Sequence, residues 1–572
     1  MDYRRRYDAW INDKALDDAT RQELLGIQDE KELTDRFFKD LEFGTAGLRG
    51  IMGAGSNRMN VYTVGRAAQG LANYLKTLPN AEEAGVAIAF DSRHRSDEFA
   101  LRSALILAAN GIKTYLFPGI RAVPQLSFAV GHLGCAAGIV ITASHNPKEY
   151  SGFKVYGANG AQINPQTAKK ITEQINSVAD FSAIRLMEED AAREAGLLVT
   201  IGKEVDEAYF DYTMGLALDP SVLSAAKDLS IVYTPLFGAG AEPVSRVLTA
   251  AGVRHLFVVP EQSAPNGDFP GLPAPNPEVA EAFSEAEKHA RNLGADLILA
   301  TDPDADRLGV AVRKGDEFVI LTGNQIGCLV LHYRLMKLKE QGKLPKDGFV
   351  VKSIVSTNFA NAIAQSFGVR LEEVLTGFRF IGEMIDESER TKTGSFLFGF
   401  EESYGFLAGT KVRDKDAICA ALMTAETAAY YSLRGMTLLD GLHELFEQYG
   451  CYCETIKSYT LHGAEGMAKI AAAMEDLRNN PPQKVFDRRV AALRDYSEGF
   501  REEGGKKTPL NLPKSNVLYY ELGGGDWLCV RPSGTEPKLK VYAGASEGCA
   551  EGAKKRVEAY ASAAGELLGM DR

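Results

Sequence analysis

Long apolar runs are missing from this chain of 572 residues. None reaches the roughly 18 residues that a membrane-spanning helix needs. Basic blocks are missing too. The net charge is −12 and no cluster of Lys and Arg stands out. That excludes a nucleic-acid binder with a basic face, but it leaves local anion-binding loops open. Cysteine is sparse: the seven thiols are Cys135, Cys328, Cys419, Cys451, Cys453, Cys529 and Cys549. They form no redox CxxC and no half of a usual zinc site, so reduced thiols in a cytoplasmic protein are expected. The N-terminal MDYRRRYDAW carries charge where a signal peptide would carry an apolar core, so none is expected. The GxxxxGK[ST] loop of nucleotide-binding enzymes is absent. The length excludes a single core and points to roughly three to five domains.

What is present is organised around Gly138 to Tyr156, GIVITASHNPKEYSGFKVY. An apolar run reads as a buried strand, and Thr142-Ala143-Ser144-His145-Asn146-Pro147 reads as a sharp turn after it. Pro147 biases Asn146 away from helix, so the turn should hold one shape. Ser144 then projects from the C-terminal end of a strand, where α/β proteins bind ligands. His145 stands beside it and Lys154 one strand further on.

The N-terminal 40 residues mix charged and apolar residues at helical spacing and should form a helical extension. Phe43-Gly44-Thr45-Ala46-Gly47-Leu48-Arg49-Gly50 follows. Its glycines permit close backbone approach to a ligand, with Arg49 as an anion contact. A strand from Val86 to Phe90, a helix from about Asp97 to Asn110 and a strand from Ile112 to Phe117 lead into the Ser144 loop. Residues 41–205 therefore read as a first α/β domain with a largely parallel sheet, whose last part, from about residue 160, is helical and acidic.

A second α/β segment, 206–320, ends in Leu297-Ile298-Leu299-Ala300-Thr301-Asp302-Pro303-Asp304-Ala305-Asp306-Arg307. In extended backbone the i, i+2, i+4 spacing puts the three carboxylates on one side. Like charges so close require a cation, and oxygen-only donors favour Mg²⁺ before Ca²⁺. An EF-hand is the competing reading, but Arg313 stands where its loop needs glutamate. Arg307 offers a fork to a phosphate near the ion.

A third α/β segment, 321–450, holds Thr376-Gly377-Phe378-Arg379 and then Gly399-Phe400-Glu401-Glu402-Ser403-Tyr404-Gly405. Glu401 and Ser403 alternate in phase and can share hydroxyl contacts with one ligand. Lys411, Arg413 and Lys415 follow, also in phase. The last segment, 451–572, is mixed helix and strand. Its Arg531-Pro532-Ser533-Gly534-Thr535-Glu536-Pro537-Lys538 loop combines backbone N–H groups, hydroxyls and a guanidinium into a phosphate cradle. A serine, a hard-metal triplet, a polyol loop and a separate cradle together suggest phosphoryl transfer on a phosphorylated polyhydroxy compound.

The strings TASHNP, DPDADR, GFEESYG and RPSGTEPK, in this order, resemble the α-D-phosphohexomutase family. The resemblance runs from about residue 40 onward. FGTAGLRG, HNPKEYSGFKVY and YTPLFG look most like its longer branch of phosphoglucomutases, phosphopentomutases and glucose-1,6-bisphosphate synthases. It implies four domains around a central cleft: three similar α/β domains and a C-terminal α+β domain. It implies a phosphoserine at Ser144 and one Mg²⁺ held by Ser144, Asp302, Asp304 and Asp306. It further implies interconversion of glucose 1-phosphate and glucose 6-phosphate through glucose 1,6-bisphosphate, which also acts as activator. In that scheme Lys154 is a base near the serine, and Arg49 and His145 orient the phosphoryl group. Glu401 and Ser403 touch sugar hydroxyls, and Lys415 lies near the reacting hydroxyl. Arg531, Ser533, Gly534 and Thr535 hold the distal phosphate. Arg307, Thr376, Gly377, Arg379 and Arg413 are further binding candidates. Phe237 stands where related sequences often have His, and Arg379 where they usually have Lys. A monomer or weak homodimer acting on a phosphosugar, without nucleic acid or membrane, is expected. The rival readings are the same chemistry on mannose or pentose phosphates, bisphosphate synthesis, a metal-dependent phosphatase, and a sugar-phosphate-binding regulator.

Overall fold

The computed structural model describes residues 3–44, 47–461, 463–533 and 537–570. Helices Tyr3–Ile11, Asp18–Leu25 and Glu30–Phe37 form the N-terminal extension. Asp17 and Asp29 accept hydrogen bonds from N–H groups of the first turns of the second and third, which the helices cannot satisfy internally. Trp10, Leu24 and Phe37 turn inward onto Tyr62 and Phe181, with the Trp10 and Phe181 rings edge-to-face at 4.9 Å. The extension thus caps the first sheet's helical layer.

The first sheet contains β1 (Leu48–Ile51), β2 (Val86–Phe90), β3 (Thr114–Leu116), β4 (Ala137–Ile141), β5 (Tyr150–Gly157) and β6 (Leu198–Thr200). The second contains β7 (Ser230–Thr234), β8 (His255–Val258), β9 (Leu297–Thr301), β10 (Leu308–Lys314) and β11 (Glu317–Leu321). The third contains β12 (Gly348–Ser353), β13 (Arg370–Val374), β14 (Ser395–Glu401) and β15 (Gly405–Leu407). One plan recurs in all three. Three parallel strands lie in the order β3-β2-β4, β8-β7-β9 or β13-β12-β14, and an antiparallel strand (β5, β10 or β15) follows the third. β2, β4 and β9 are buried at every residue, as the continuous apolar runs of a helix-covered parallel sheet require. β6 lies inside the stretch read as helical from the sequence; three residues are too short to show a strand period.

The fourth sheet is antiparallel. It is built from β16 (Cys451–Thr460), β17 (Lys484–Val485), β18 (Arg488–Asp495), β19 (Phe500–Glu503), β20 (Lys506–Pro509), β21 (Leu518–Leu522), β22 (Trp527–Pro532) and β23 (Lys538–Glu547). Helices Gly463–Asn479 and Ala550–Leu567 contribute Ile470, Met474, Val557 and Tyr560 to its own core. A larger apolar cluster runs through the first three units, joining Val140, Ile231, Leu299, Val351 and Leu422, and continues into the fourth through Tyr496, Val517, Trp527 and Tyr542. All seven cysteines are free thiols.

Charged contacts join the fourth unit to the third. Arg494 lies between Glu373, at 2.7 Å, and Glu521, at 2.6 Å, while Lys352 reaches Glu373 at 3.1 Å. Glu454 on β16 is half-buried and accepts a hydrogen bond of 3.0 Å from Asn324 Nδ2 on helix Gly323–Glu340. Burial raises its carboxyl to about 7, against the opposing pull of Thr357, Asn324 and Lys352. A raised carboxyl costs nothing below its unfolded pKa, where both states are protonated, and costs stability progressively as pH rises to the folded value. Wild type should therefore lose thermal stability relative to Glu454→Gln as pH rises from about 4.5 to about 7, by on the order of 3 kcal/mol. Melting temperatures of the two proteins across that range check this, and parallel curves would refute it.

Candidate active site

Each functional loop occupies the same place in the repeated plan, between the third parallel strand and the antiparallel one. Each loop also turns on a non-glycine residue in left-handed backbone: Ser144 at φ +50°, Ala305 at +47° and Tyr404 at +65°. The turn expected at Ser144 is present, with Ser144 as its left-handed residue. The aspartates converge for a different reason from the one the spacing suggested. Residues 302–306 form a turn, not a strand, and the reversal gathers the three carboxylates.

One ligand oxygen from each of Asp302, Asp304 and Asp306 lies within 4.8 Å of the others, and all three residues are buried. Ser144 Oγ donates to Asp302 Oδ2 at 2.7 Å and lies 3.2 Å from His145 Nδ1. Asp302 Oδ1 accepts the backbone N–H groups of Asp306 and Arg307, at 3.1 and 3.0 Å. Two lysines meet the remaining charge. Lys154 Nζ, from β5, donates to Asp304 Oδ2 at 2.9 Å. Lys415 Nζ pairs with Asp306 Oδ2 and Asp414 Oδ1, both at 3.0 Å.

The electrostatics follow. Burial and the charges of Asp304 and Asp306 hold Asp302 well above the usual carboxylate range. Burial opposes ionisation of Asp304 as well, but Lys154 and hydrogen bonds outweigh it and keep that carboxyl below the usual range. Lys415 is stabilised as a cation by Asp306 and Asp414 in spite of its burial. Burial, reinforced by Arg307 and Arg49, pushes the His145 imidazole well below its ordinary value and leaves it neutral. Asp304 Oδ1 and Asp306 Oδ1 are buried and accept no hydrogen bond. Unsatisfied carboxylate oxygens gathered beside a serine hydroxyl suit a hard divalent cation.

A cleft of about 710 Å³ opens from this centre, lined by His145, Arg307, Thr376, Gly377, Glu401, Ser403, Lys415 and Arg531 among others. Gly377 N–H donates to Glu401 Oε1 at 2.7 Å, and burial, then the neighbouring Glu402 charge, raises Glu401 to about 7. Thr376 Oγ1 is buried without a hydrogen-bond partner. Arg307 forms an ion pair with Glu278 and stands 3.9 Å from Asp306 Oδ1. Arg49 donates to Asn146 Oδ1 at 3.1 Å, beside the serine. Ser533 N–H donates to Lys538 O at 2.7 Å at the end of the strand pair β22–β23. Gly534 and Thr535 lie outside the described residues.

Some candidates sit elsewhere. Arg413 does not line the cleft: it pairs with Asp386 at 2.9 Å and with Glu389 at 2.5 Å. The segment 408–416 is loop, so the in-phase spacing of Lys411, Arg413 and Lys415 carries no shared face. Arg379 begins helix Arg379–Thr391, stacks over Phe380 at 4.6 Å and leaves Nε buried without a hydrogen bond. Phe237 is buried and packs its ring toward Phe269 at 6.5 Å, an apolar contact. Gly47 approaches protein instead of ligand, since a Cβ there would lie 1.8 Å from the Phe153 carbonyl oxygen.

Sequence reasoning missed several cleft residues. Lys540 lies directly across the strand pair from Arg531 and lines the cleft, as do Tyr542, Glu278 and Asn324. The alternation of Lys540 with Lys538 at the start of β23 is a local signal for it; Glu278 and Asn324 have no local signature.

Models of all four domains described as phosphoglucomutase/phosphomannomutase match the chain: alpha/beta/alpha domains I, II and III at residues 40–181, 207–315 and 322–449, and the C-terminal domain at 468–560. A phosphoglucomutase of Staphylococcus aureus is 36% identical over 536 residues, covering 93% of this chain and 94% of its own. Among solved structures, pp63/parafusin, a phosphoglucomutase from Paramecium, superposes in its open form with a TM-score of 0.68 at 18% identity, over 93% of this chain and 95% of that one. A phosphoglucomutase/phosphomannomutase family protein from Burkholderia thailandensis gives 0.66 at 17% identity, over 92% and 97%. With its four domains matched in order, this chain belongs to the phosphoglucomutase/phosphomannomutase family.

Proposed function

We propose that this protein is a phosphoglucomutase that interconverts glucose 1-phosphate and glucose 6-phosphate through a phosphoserine at Ser144 and a glucose 1,6-bisphosphate intermediate. One observation carries the reading. A serine hydroxyl 2.7 Å from a buried aspartate triplet opens onto the same cleft as Arg531 and Lys540. The relatives named as phosphoglucomutases support the choice of sugar.

The roles follow from position. A hydroxyl of the bound sugar phosphate attacks the phosphorus on Ser144, the P–Oγ bond breaks, and the hydroxyl proton leaves to a base of the site. The bisphosphate then turns over, and its other phosphoryl group returns to Ser144. Lys154 is the base near the serine, and His145 and Arg49 orient the phosphoryl group. Lys415 stands at the cleft mouth of the aspartate site, near the reacting hydroxyl. Glu401 and Ser403 hold sugar hydroxyls, with Thr376 and Gly377 beside them. Arg531, Ser533 and Lys540 hold the phosphate that does not react, and Gly534 and Thr535 belong to the same loop. Arg307 binds phosphate once Glu278 yields, Arg379 adds positive charge near Glu401, and Arg413 acts as a strap to helix Arg379–Thr391. Asp302, Asp304, Asp306 and the phosphoserine would hold one Mg²⁺, which supplies charge stabilisation to the transferring phosphoryl group. Closing the fourth domain over the substrate excludes the water that would otherwise take the phosphoryl group.

The division into 1–40, 41–205, 206–320, 321–450 and 451–572 is part of this reading, supported by the placement of each sheet within one segment to a residue. So are a cytoplasmic location, a monomeric or weakly dimeric state, and activation by glucose 1,6-bisphosphate. Among the described residues no helix is long and apolar enough to cross a membrane.

Peptide mapping should find phosphate on Ser144, and Ser144→Ala should lose mutase activity by more than about 10³-fold. A panel of glucose, mannose, ribose and N-acetylglucosamine 1-phosphates should favour glucose; an active Ser144→Ala would sink the assignment. Mg²⁺ should raise the melting temperature of wild type but not of Asp304→Asn, and chelation should abolish activity reversibly. Full turnover in excess chelator would exclude the metal role. Arg531→Ala should raise KM for glucose 1-phosphate by about 10- to 100-fold, the worth of a charged hydrogen bond. It should also steepen dependence on added glucose 1,6-bisphosphate, and an unchanged KM would remove Arg531 from the phosphate site.

A further inference from the structure

Arg93 lies behind the Ser144 loop, not in the cleft, and is 3% exposed. Its guanidinium reaches four backbone carbonyls of that one loop. Nη2 donates to Ser144 O and Asn146 O, both at 2.5 Å, and Nη1 to Pro147 O at 2.9 Å and Tyr150 O at 3.0 Å. Nε stands 3.3 Å from Asp91 Oδ2, beneath it. The other face is covered by Phe269, whose ring centroid is 5.0 Å from the guanidinium carbon. Phe269 belongs to the second domain, and its loop is seated closely: a Cβ on Gly267 would come 2.7 Å from His94 N. Phe269 has left-handed backbone of its own, at φ +44°.

Four carbonyl dipoles converging on one point repel unless a cation with several directed donors sits there. A planar fork with two terminal amino groups serves them together, which a single ammonium cannot. One of the four carbonyls belongs to Ser144, whose left-handed backbone a non-glycine residue adopts only when its surroundings impose it.

On the reading that Ser144 carries the phosphoryl group, we propose that Arg93, braced by Phe269 from the second domain, is a positioning residue that sets the Ser144 backbone and so aims Oγ at the aspartate site. Arg93 touches no reacting atom. It acts by holding the loop, and the second domain has a hand in that hold.

The test compares full-length wild type, Arg93→Lys, Arg93→Met and Phe269→Leu, each checked for folding by circular dichroism. A misdirected nucleophile should lower kcat about 100-fold in both Arg93 variants, with KM for glucose 1-phosphate nearly unchanged. Arg93→Lys keeps the charge and should not rescue. The phosphoserine ³¹P resonance should shift in both. Phe269→Leu removes only the aromatic brace and should lower kcat by about tenfold or less, again at constant KM. A purely structural role predicts lower stability with wild-type kcat per folded molecule and an unmoved resonance; either that result or rescue by Arg93→Lys overturns the proposal. If the Arg93 variants do not fold, Phe269→Leu decides alone, and its unchanged kcat and resonance would overturn it. Wild type without phosphate on Ser144 would overturn the functional reading and this proposal together. Phosphorylated wild type with indifferent variants would overturn this proposal alone.

Discussion

Three buried carboxylates within 4.8 Å of one another are the constraint on which the molecule depends. Their mutual repulsion in a dry site is large, and no single domain contains its remedy. Lys154 arrives from the first domain and Lys415 from the third. The backbone of the same loop is divided in the same way. Pro303 O accepts from Ala239 N–H in its own domain at 2.8 Å. Asp304 O accepts from Val123 N–H in the first at 2.9 Å, and Ala305 O from Ala417 N–H in the third at 3.2 Å. The aspartate loop is thus held by all three α/β units.

The repeated plan explains why the chemistry meets at one point. Ser144, the aspartates and Glu401–Ser403 each follow the third parallel strand of a like sheet, and each lies at the carboxyl end of that strand, where open α/β sheets present ligands. Packing the three units about one centre brings equivalent turns together. Buried tyrosines stiffen the junction. Tyr156 donates to Asp414 at 2.9 Å and Tyr209 to Asp416 at 2.9 Å, tying the first-domain strand β5 and helix Lys203–Met214 to the loop that bears Lys415.

The fourth domain stands in another relation to the rest. It has a core of its own, yet Tyr519, Trp527 and Tyr542 also join the apolar cluster of the other three, and Phe359 stacks on Tyr452 at 5.1 Å, beside the charged and polar pairs Arg494 with Glu373 and Glu454 with Asn324. The serine and the aspartates lie where the first two units meet, with Lys415 of the third against them. Arg531 and Lys540 line the cleft from this fourth unit, opposite the loops that the first three contribute.

The local strings were legible because their chemistry is local. A serine turn after an apolar run, three aspartates at alternate positions and an arginine-serine-glycine loop announce themselves within a few residues, and the apolar runs of β2, β4 and β9 announced α/β sheets. Even so, alternation gave the wrong geometry for the aspartates, which converge through a turn, and a false shared face for Arg413. What the sequence by itself determined was the inventory of reacting groups and their order along the chain. Only the tertiary structure decided which cations meet the aspartates, that Arg93 and Phe269 stand behind Ser144, that Lys540 and Glu278 face the cleft, and that Arg413 does not. The physical reason is that charge compensation and backbone pinning at this site act between residues fifty or more positions apart, where no periodicity or motif can register them.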